Sequence, residues 1–261
     1  MVEDVTSLIR ELGLTLEAVM PTDGSSFVGR VSDGERRLVL KVIGKRGTDE
    51  MRVLDAWTRS GVGPRWFQPV KNDAYLYEWI EGVTLAAGPA PALLEAVGQQ
   101  LRSLHEVPIP AGLKSLSGRI SPKAVEEGWK RTLKSAWLRR AVSLAESLHE
   151  QLEHQPVLLH GDVVAANIVV SHGRPTLIDP VGYCGAAAWD LAQLSVALVG
   201  TERRENLRHL VRGYGVSPPL MNEFFGWMTF MFLEKNLVLE KDRPGSRRQF
   251  IQELSAVADT L

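Results

Sequence analysis

The sequence predicts an α+β chain of two lobes, a small β-rich lobe over residues 1–81 and a larger, mainly helical lobe over residues 82–261. Three observations predict it. Short apolar runs separated by turn residues crowd the first part of the chain. After Glu81-Gly82 the apolar residues fall at helical spacing. One pair of apolar runs, between Val157 and Val170, interrupts that helical part as an embedded hairpin with a polar turn between its strands.

Taken in order, residues 3–12 read as a short amphipathic helix. Residues 26–31 and 37–43 read as strands joined by the turn Ser32-Asp33-Gly34-Glu35. Met51, Leu54 and Trp57 give helical periodicity to residues 48–59, and residues 66–70 and 74–80 form a second strand pair around Asn72-Asp73. In the second lobe Leu93, Leu94, Val97, Leu101 and Leu104 mark a helix over residues 89–105. A long helical stretch is expected over residues 122–152, and almost everything from Ala187 onward reads helical. The boundary near residues 77–82 is a candidate hinge, and a cleft between lobes is where a ligand is expected.

Bulk properties narrow the function. The composition, 44% hydrophobic and 23% charged, is that of a globular protein with enough apolar residues for a core, and a net charge of −1 gives no field to draw nucleic acid or anionic membrane. No apolar run is long enough to span a bilayer. Met1-Val-Glu-Asp-Val lacks the basic-then-apolar start of a secretory signal, and the single cysteine, Cys184, excludes an internal disulfide. The expectation is a cytoplasmic enzyme that binds no nucleic acid and no membrane and needs no obligate protein partner. Cys184 reads as a small half-buried side chain.

The chemistry concentrates in Val157-Leu-Leu-His160-Gly161-Asp162-Val-Val-Ala-Ala-Asn167-Ile-Val-Val170, followed by Leu177-Ile178-Asp179-Pro180. A carboxylate and, five positions on, a carboxamide sit on a turn between strands, and a second acid closes the next apolar run. Phosphoryl transfer needs such a set: one carboxylate to orient an attacking hydroxyl and accept its proton, and an Asn and an Asp to hold Mg²⁺ through hard oxygens. His160 reads as a residue that holds the loop by hydrogen bonding. Lys41, inside Leu38-Val-Leu-Lys41-Val-Ile43, must either reach the sheet edge or meet a partner, because a buried unpaired ammonium is costly. With the downstream motif it reads as a lysine for nucleotide phosphates, oriented by Glu50, or by Asp49, from the following helix. The turn Pro21-Thr-Asp-Gly24-Ser25-Ser26 lies where a phosphate-covering loop belongs, with Ser25 and Ser26 as donors.

His160-Gly-Asp162-x-x-x-x-Asn167 and Ile178-Asp179, with Gly185 and Trp189-Asp190-Leu-Ala192, resemble the aminoglycoside phosphotransferase family of kinase-like small-molecule kinases. The resemblance runs from Lys41 to Ala192 and more loosely to the C-terminus. It implies a bilobal protein-kinase-like fold, ATP or GTP with Mg²⁺, and transfer of the γ-phosphate to a hydroxyl of a small molecule. By position it makes Asp162 the catalytic base and Asn167 and Asp179 the Mg²⁺ ligands. Lys41 contacts the α- and β-phosphates, and Asp190 braces the catalytic loop. The segment Tyr77-Glu78-Trp79-Ile80 supplies hinge backbone to the adenine. Asp179-Pro180 with Gly182-Tyr183-Cys-Gly185 looks like two branches, the streptomycin 6-kinase and hydroxyurea kinase group and the fructosamine (ketosamine) kinase group. Val53-Leu54-Asp-Ala56-Trp57 and Leu101-x-x-Leu104-His105-x-Val-Pro108 lean to the first, which makes an aminoglycoside-type antibiotic the expected acceptor.

Two departures bear on the acceptor: Val163-Val164 where many members carry Leu-His or a similar aromatic pair, and three alanines at 186–188 where many carry an acid or proline. Glu202, Glu205, Glu223, Glu234, Glu240 and Asp242 are available to line a site for a polycation, but basic residues alternate with them. Trp227, Phe230, Met231 and Phe232 read as core. A ketosamine or other metabolite kinase is the alternative enzyme. A nucleotide-binding module without turnover is the alternative outside enzymes, and the complete set Lys41, Asp162, Asn167 and Asp179 argues against it.

Overall fold

The described part of the computed structural model comprises residues 2–22, 26–43, 48–71, 73–85, 90–118, 155–197, 203–215, 217 and 231. The fold is α+β, with a sheet lobe followed by a lobe of helices and short strand ladders. Helix α1 (Val2–Glu11) precedes an antiparallel sheet of β1 (Thr15–Val19), β2 (Ser26–Ser32), β3 (Arg37–Ile43), β4 (Phe67–Lys71) and β5 (Ala74–Glu78), in the order β1-β2-β3-β5-β4. Helix α2 (Thr48–Arg59) lies between β3 and β4. The bounds of β3 and α2 are those the sequence predicts. Strand β1 escapes the sequence reading because it is an edge strand with mostly exposed side chains and so has no apolar alternation to detect.

Alternation of side chains gives the sheet two working faces. Leu38, Leu40, Ala74 and Leu76 pack with Val5, Leu8 and Ile9 of α1. Val39, Ile43, Tyr75 and Tyr77 face the other way, into a cluster with Val53, Leu54 and Trp57 of α2 that continues through the second lobe. Lys41 lies between Val39 and Ile43 in β3, so it is delivered to this second face.

Beyond the sheet, β6 (Val83–Thr84) pairs with β8 (Ile168–Ser171), which also pairs with β9 (Arg174–Leu177). Strand β7 (Val157–Leu159) pairs instead with β10 (Tyr183–Gly185). The expectation that the apolar runs on either side of Asp162 form one hairpin is therefore corrected. The connection between them contains a 3-10 turn at Ala165–Asn167 that sends β8 to a different sheet. Asp179 also falls two residues beyond β9 rather than at its end.

Helix α3 (Pro91–His105), helix α4 (Ala188–Ala197) and helix α5 (Arg203–Tyr214) form the described helical core. Helices α3 and α5 cross through glycines: a Cβ on Gly98 would lie 2.3 Å from the Leu210 carbonyl oxygen, and one on Gly213 would lie 2.0 Å from that of Glu95. Met231 is buried against this core, as expected, while the helix over 122–152, Trp227, Phe230, Phe232 and the acidic candidates other than Glu205 lie outside the described residues. For Glu205 only the backbone, within α5, is described. No described helix is long and apolar enough to cross a membrane.

Helix α2 is fastened to the second lobe as well as to the sheet. Asp49 takes Lys114 Nζ at 3.1 Å and Arg52 at 3.2 Å, and Arg52 reaches the Gly112 carbonyl at 3.2 Å. The Trp57 ring lies 5.5 Å from that of His160. Gly182 approaches α2 so closely that a Cβ there would sit 3.1 Å from the Asp49 carbonyl oxygen.

Candidate active site

Lys41 is buried, and its ammonium meets two carboxylates. Nζ donates to Glu50 Oε1 at 2.7 Å and to Asp179 Oδ1 from the other lobe. Burial alone would lower the lysine's pKa, but Glu50 and Asp179 outweigh it and hold the ammonium above its ordinary value. Glu50 pays for the same burial: desolvation pushes its carboxyl up to about 7 against the pull of Lys41. Of the two acids at the start of α2, Glu50 is the partner of Lys41, since Asp49 is committed to Lys114 and Arg52. Asp179 adopts φ 62°, a left-handed conformation uncommon outside glycine, so its side chain is set by an enforced backbone turn.

The loop bearing Asp162 is held from below by Asp190 at the start of α4. Asp190 is fully buried and accepts the His160 amide at 2.7 Å and the Gly161 amide at 3.0 Å. His105 Nε2 makes a third bond to Asp190 at 3.1 Å, and His105 Nδ1 contacts the Tyr214 hydroxyl at 2.8 Å. A carboxylate can only accept, so Nε2 is the donor and, in the neutral ring, Nδ1 accepts from Tyr214. His160 Nε2 donates to the Ile178 carbonyl at 2.8 Å while Nδ1 accepts the Asp162 amide at 3.2 Å. One imidazole thus joins the segment of Asp162 to that of Asp179, the loop-holding role read from the sequence.

Burial lowers the pKa of His160 from 6.5, with Asp190 opposing the shift. The folded chain therefore keeps it neutral in a range where the unfolded chain takes up a proton. The resulting stability is intact above pH 6.5 and declines as the pH falls below it, with a limiting slope of about 1.4 kcal/mol per pH unit. Urea unfolding at pH ~7.5 and ~5.5 checks this. His160→Gln has no proton to gain there and should lose less stability than wild type on acidification. Equal losses would contradict it.

The Asp162 carboxylate is oriented at both oxygens. Asn167 Nδ2 donates to Oδ2 at 3.1 Å and to the Asp162 carbonyl at 3.0 Å, and Gln193 Nε2 donates to Oδ1 at 3.3 Å. Gln193 Oε1 in turn accepts the Val163 amide at 2.9 Å. With its NH₂ committed to Asp162, the Asn167 amide oxygen accepts no hydrogen bond among the described residues. That oxygen and the Asp179 carboxylate form a hard donor pair, the chemistry a Mg²⁺ ion requires.

A cavity of about 610 Å³ lies between the lobes, with Lys41, Asn167 and Asp179 in its wall. Ser26, Trp79 and Ile80 line it too, while Ser25 lies outside the described residues. The Glu78 side chain is not in the cavity wall: next to Tyr77 on a strand it turns the opposite way, and its carboxylate accepts the Arg65 amide at 2.6 Å. Its own amide, like that of Trp79, is spent on neighbouring carbonyls, Trp66 and Arg37.

The model of the phosphotransferase enzyme family matches residues 20–227, a span that takes in Lys41, Glu50, the Asp162 loop, Asp179 and Asp190. The chain belongs to this family. It is a phosphotransferase of the small-molecule kinase kind. No curated protein matches the chain. Solved structures of similar fold include a spectinomycin phosphotransferase in complex with ADP and spectinomycin (17% identity, TM-score 0.64, covering 96% of this chain and 93% of that one). A choline kinase from Streptococcus pneumoniae is 18% identical at TM-score 0.62, over 98% and 99% of the two chains. An amicoumacin kinase in complex with AMP-PNP, Ca²⁺ and Ami is 13% identical at TM-score 0.64, over 98% and 94%. At these identities the likeness is one of fold, and it extends over nearly the whole chain.

Within this phosphotransferase, two residues at the site escaped the sequence reading. Gln193 gives no signal, because a glutamine on a helix is ordinary until its partner is known. Tyr75 was legible only as a strand aromatic. Cys184 is half-buried, as read.

Proposed function

We propose that this phosphotransferase transfers the γ-phosphate of ATP to a hydroxyl of a small molecule, with residues 1–81 as the nucleotide lobe and residues 82–261 carrying the catalytic loop and acceptor site. The observation that carries the reading is the meeting of Lys41, from the sheet, with Asp179, from the second lobe, in the wall of a cavity that Asn167 also lines. Lys41, held by Glu50, binds the α- and β-phosphates. Ser25 and Ser26 cover them, and the hinge backbone of Tyr77-Glu78-Trp79-Ile80 meets the adenine. Asn167 and Asp179 hold Mg²⁺, which when bound neutralises charge on the phosphate oxygens. Asp162 aligns the acceptor hydroxyl and takes its proton, its carboxylate aimed by Asn167 and Gln193.

ATP is favoured over GTP by the adenine nucleotides in the spectinomycin phosphotransferase and amicoumacin kinase structures. Those names, with a macrolide 2'-phosphotransferase of similar fold, make an antibiotic, first an aminoglycoside, the acceptor to test. The choline kinase supports a small amino alcohol as the second reading. The test is ATP-dependent mass gain of one phosphoryl group across aminoglycosides including streptomycin, hydroxyurea, ketosamines and choline-like alcohols. A wild-type protein that binds Mg-ATP but phosphorylates nothing in the panel would favour a binding module instead.

Asp179→Asn tests the metal assignment. Asparagine tolerates left-handed backbone, so the turn keeps its shape, while the loss of charge should reduce Mg-nucleotide turnover by about 10²–10³-fold. The apo melting temperature should move by no more than about 3 °C. A larger thermal loss with turnover retained would make Asp179 a structural residue.

A further inference from the structure

The Lys41–Glu50 pair has a third member that phosphate binding does not by itself require. Tyr75, on the strand neighbouring β3, pairs in register with Lys41, and its hydroxyl donates to Glu50 Oε1, the same oxygen that receives Lys41 Nζ. Its ring is wholly buried, between Phe67 at 5.5 Å and Tyr77 at 5.9 Å. A phenylalanine would fill that space equally well, so packing does not account for the oxygen. A buried hydroxyl is costly unless bonded, and this one spends its proton on Glu50. Burial pushes the phenol well above its ordinary range, so it remains a donor throughout the working pH range.

From this geometry we infer that Tyr75 is a positioning residue for nucleotide phosphates: it fixes the Glu50 carboxylate from the sheet side, so that Lys41 is held where the phosphates arrive. Glu50 sits on α2 and Lys41 on β3, and without a second anchor the carboxylate could turn about its long side chain and carry the ammonium with it. The hydroxyl supplies that anchor from β5, a strand paired with the lysine's own. The inference rests on the proposed reading of Lys41 as the phosphate lysine. It makes the hydroxyl a determinant of affinity for the charged part of the nucleotide and not for the base.

The experiment compares Tyr75→Phe with wild type for binding of Mg-ATP and of adenosine, which makes no phosphate contact. Expected is Mg-ATP affinity weakened about tenfold, the scale of a lost hydrogen bond to a charged group, with adenosine affinity within about twofold of wild type. A double-mutant cycle with Glu50→Ala separates positioning from packing: because the hydroxyl acts through Glu50, its removal should cost nothing further once the carboxylate is gone. Equal weakening of Mg-ATP and adenosine, no weakening of either, or a penalty that persists in the Glu50→Ala background would each overturn the inference. Failure of the wild-type protein itself to bind Mg-ATP would overturn the functional reading first, and this inference with it.

Discussion

Asp162→Asn is expected to lower kcat by about 10³-fold while leaving KM for ATP within about twofold, because positioned proton acceptors contribute about 10²–10⁴ to rate. Asparagine has the same shape but cannot accept a proton from the acceptor hydroxyl. The hydrogen bonds of the Asp162 carboxylate among the described residues come from Asn167 and Gln193, not from Lys41, so nucleotide binding should survive the change. One of the two donors, Asn167 or Gln193, would then face an NH₂ group. Since the carboxylate is only half-buried, the loss in stability should stay within about 1 kcal/mol. Steady-state kinetics with a confirmed acceptor, and a single-turnover measurement that isolates the chemical step, check the outcome. Unchanged kcat, or a parallel rise in KM for ATP, would remove Asp162 from the role of base.

The largest expected effect on stability lies away from the chemistry, at the crossing of α3 and α5. A methyl group on Gly213 would stand 2.0 Å from the Glu95 carbonyl oxygen, well inside contact distance, and backbone on both sides leaves no flexible side chain to yield. Gly213→Ala should therefore destabilise the protein by about 1–3 kcal/mol, lowering the melting temperature by about 2–12 °C. Activity should fall more than the folded fraction explains. Separating the helices draws Tyr214, the next residue, away from His105, and His105 is one of three groups that fix Asp190 beneath the catalytic loop. Gly118→Ala is the control, because no described residue lies within 4 Å of a Cβ there, and its melting temperature should match wild type. A Gly213→Ala protein as stable as this control would refute the account of the crossing.

The legible part of this molecule is the part written in local chemistry. Strand β3 and helix α2 appear at their predicted bounds because apolar spacing and turn residues mark both ends. The Asp162–Asn167 spacing was readable because two polar side chains on one tight loop are near each other in any fold. The choice of Glu50 over Asp49 needed the structure: adjacent residues on a helix point about 100° apart, and only the position of β3 decides which faces Lys41. Gln193 and Tyr75 depend on contacts between residues distant in sequence, and β1 and β6 are too exposed or too short to leave a pattern. The pairing of β7 with β10 was misread because two apolar runs flanking a turn suggest a hairpin, whereas the turn here is long enough to carry function and to send the strands apart.

Helix α2 belongs to the first lobe by chain order, yet Trp57, Asp49 and the surface under Gly182 tie it to the second. Recombination between relatives would meet this as a hidden seam. A crossover placed at residues 81/82, the boundary proposed between the lobes, would part α2 from the very segments it is shaped against. Those segments, around residues 112–114, 160 and 182, would have to be inherited together with it. The natural unit of exchange in this chain is thus discontinuous, and its sequence boundary is not its physical one.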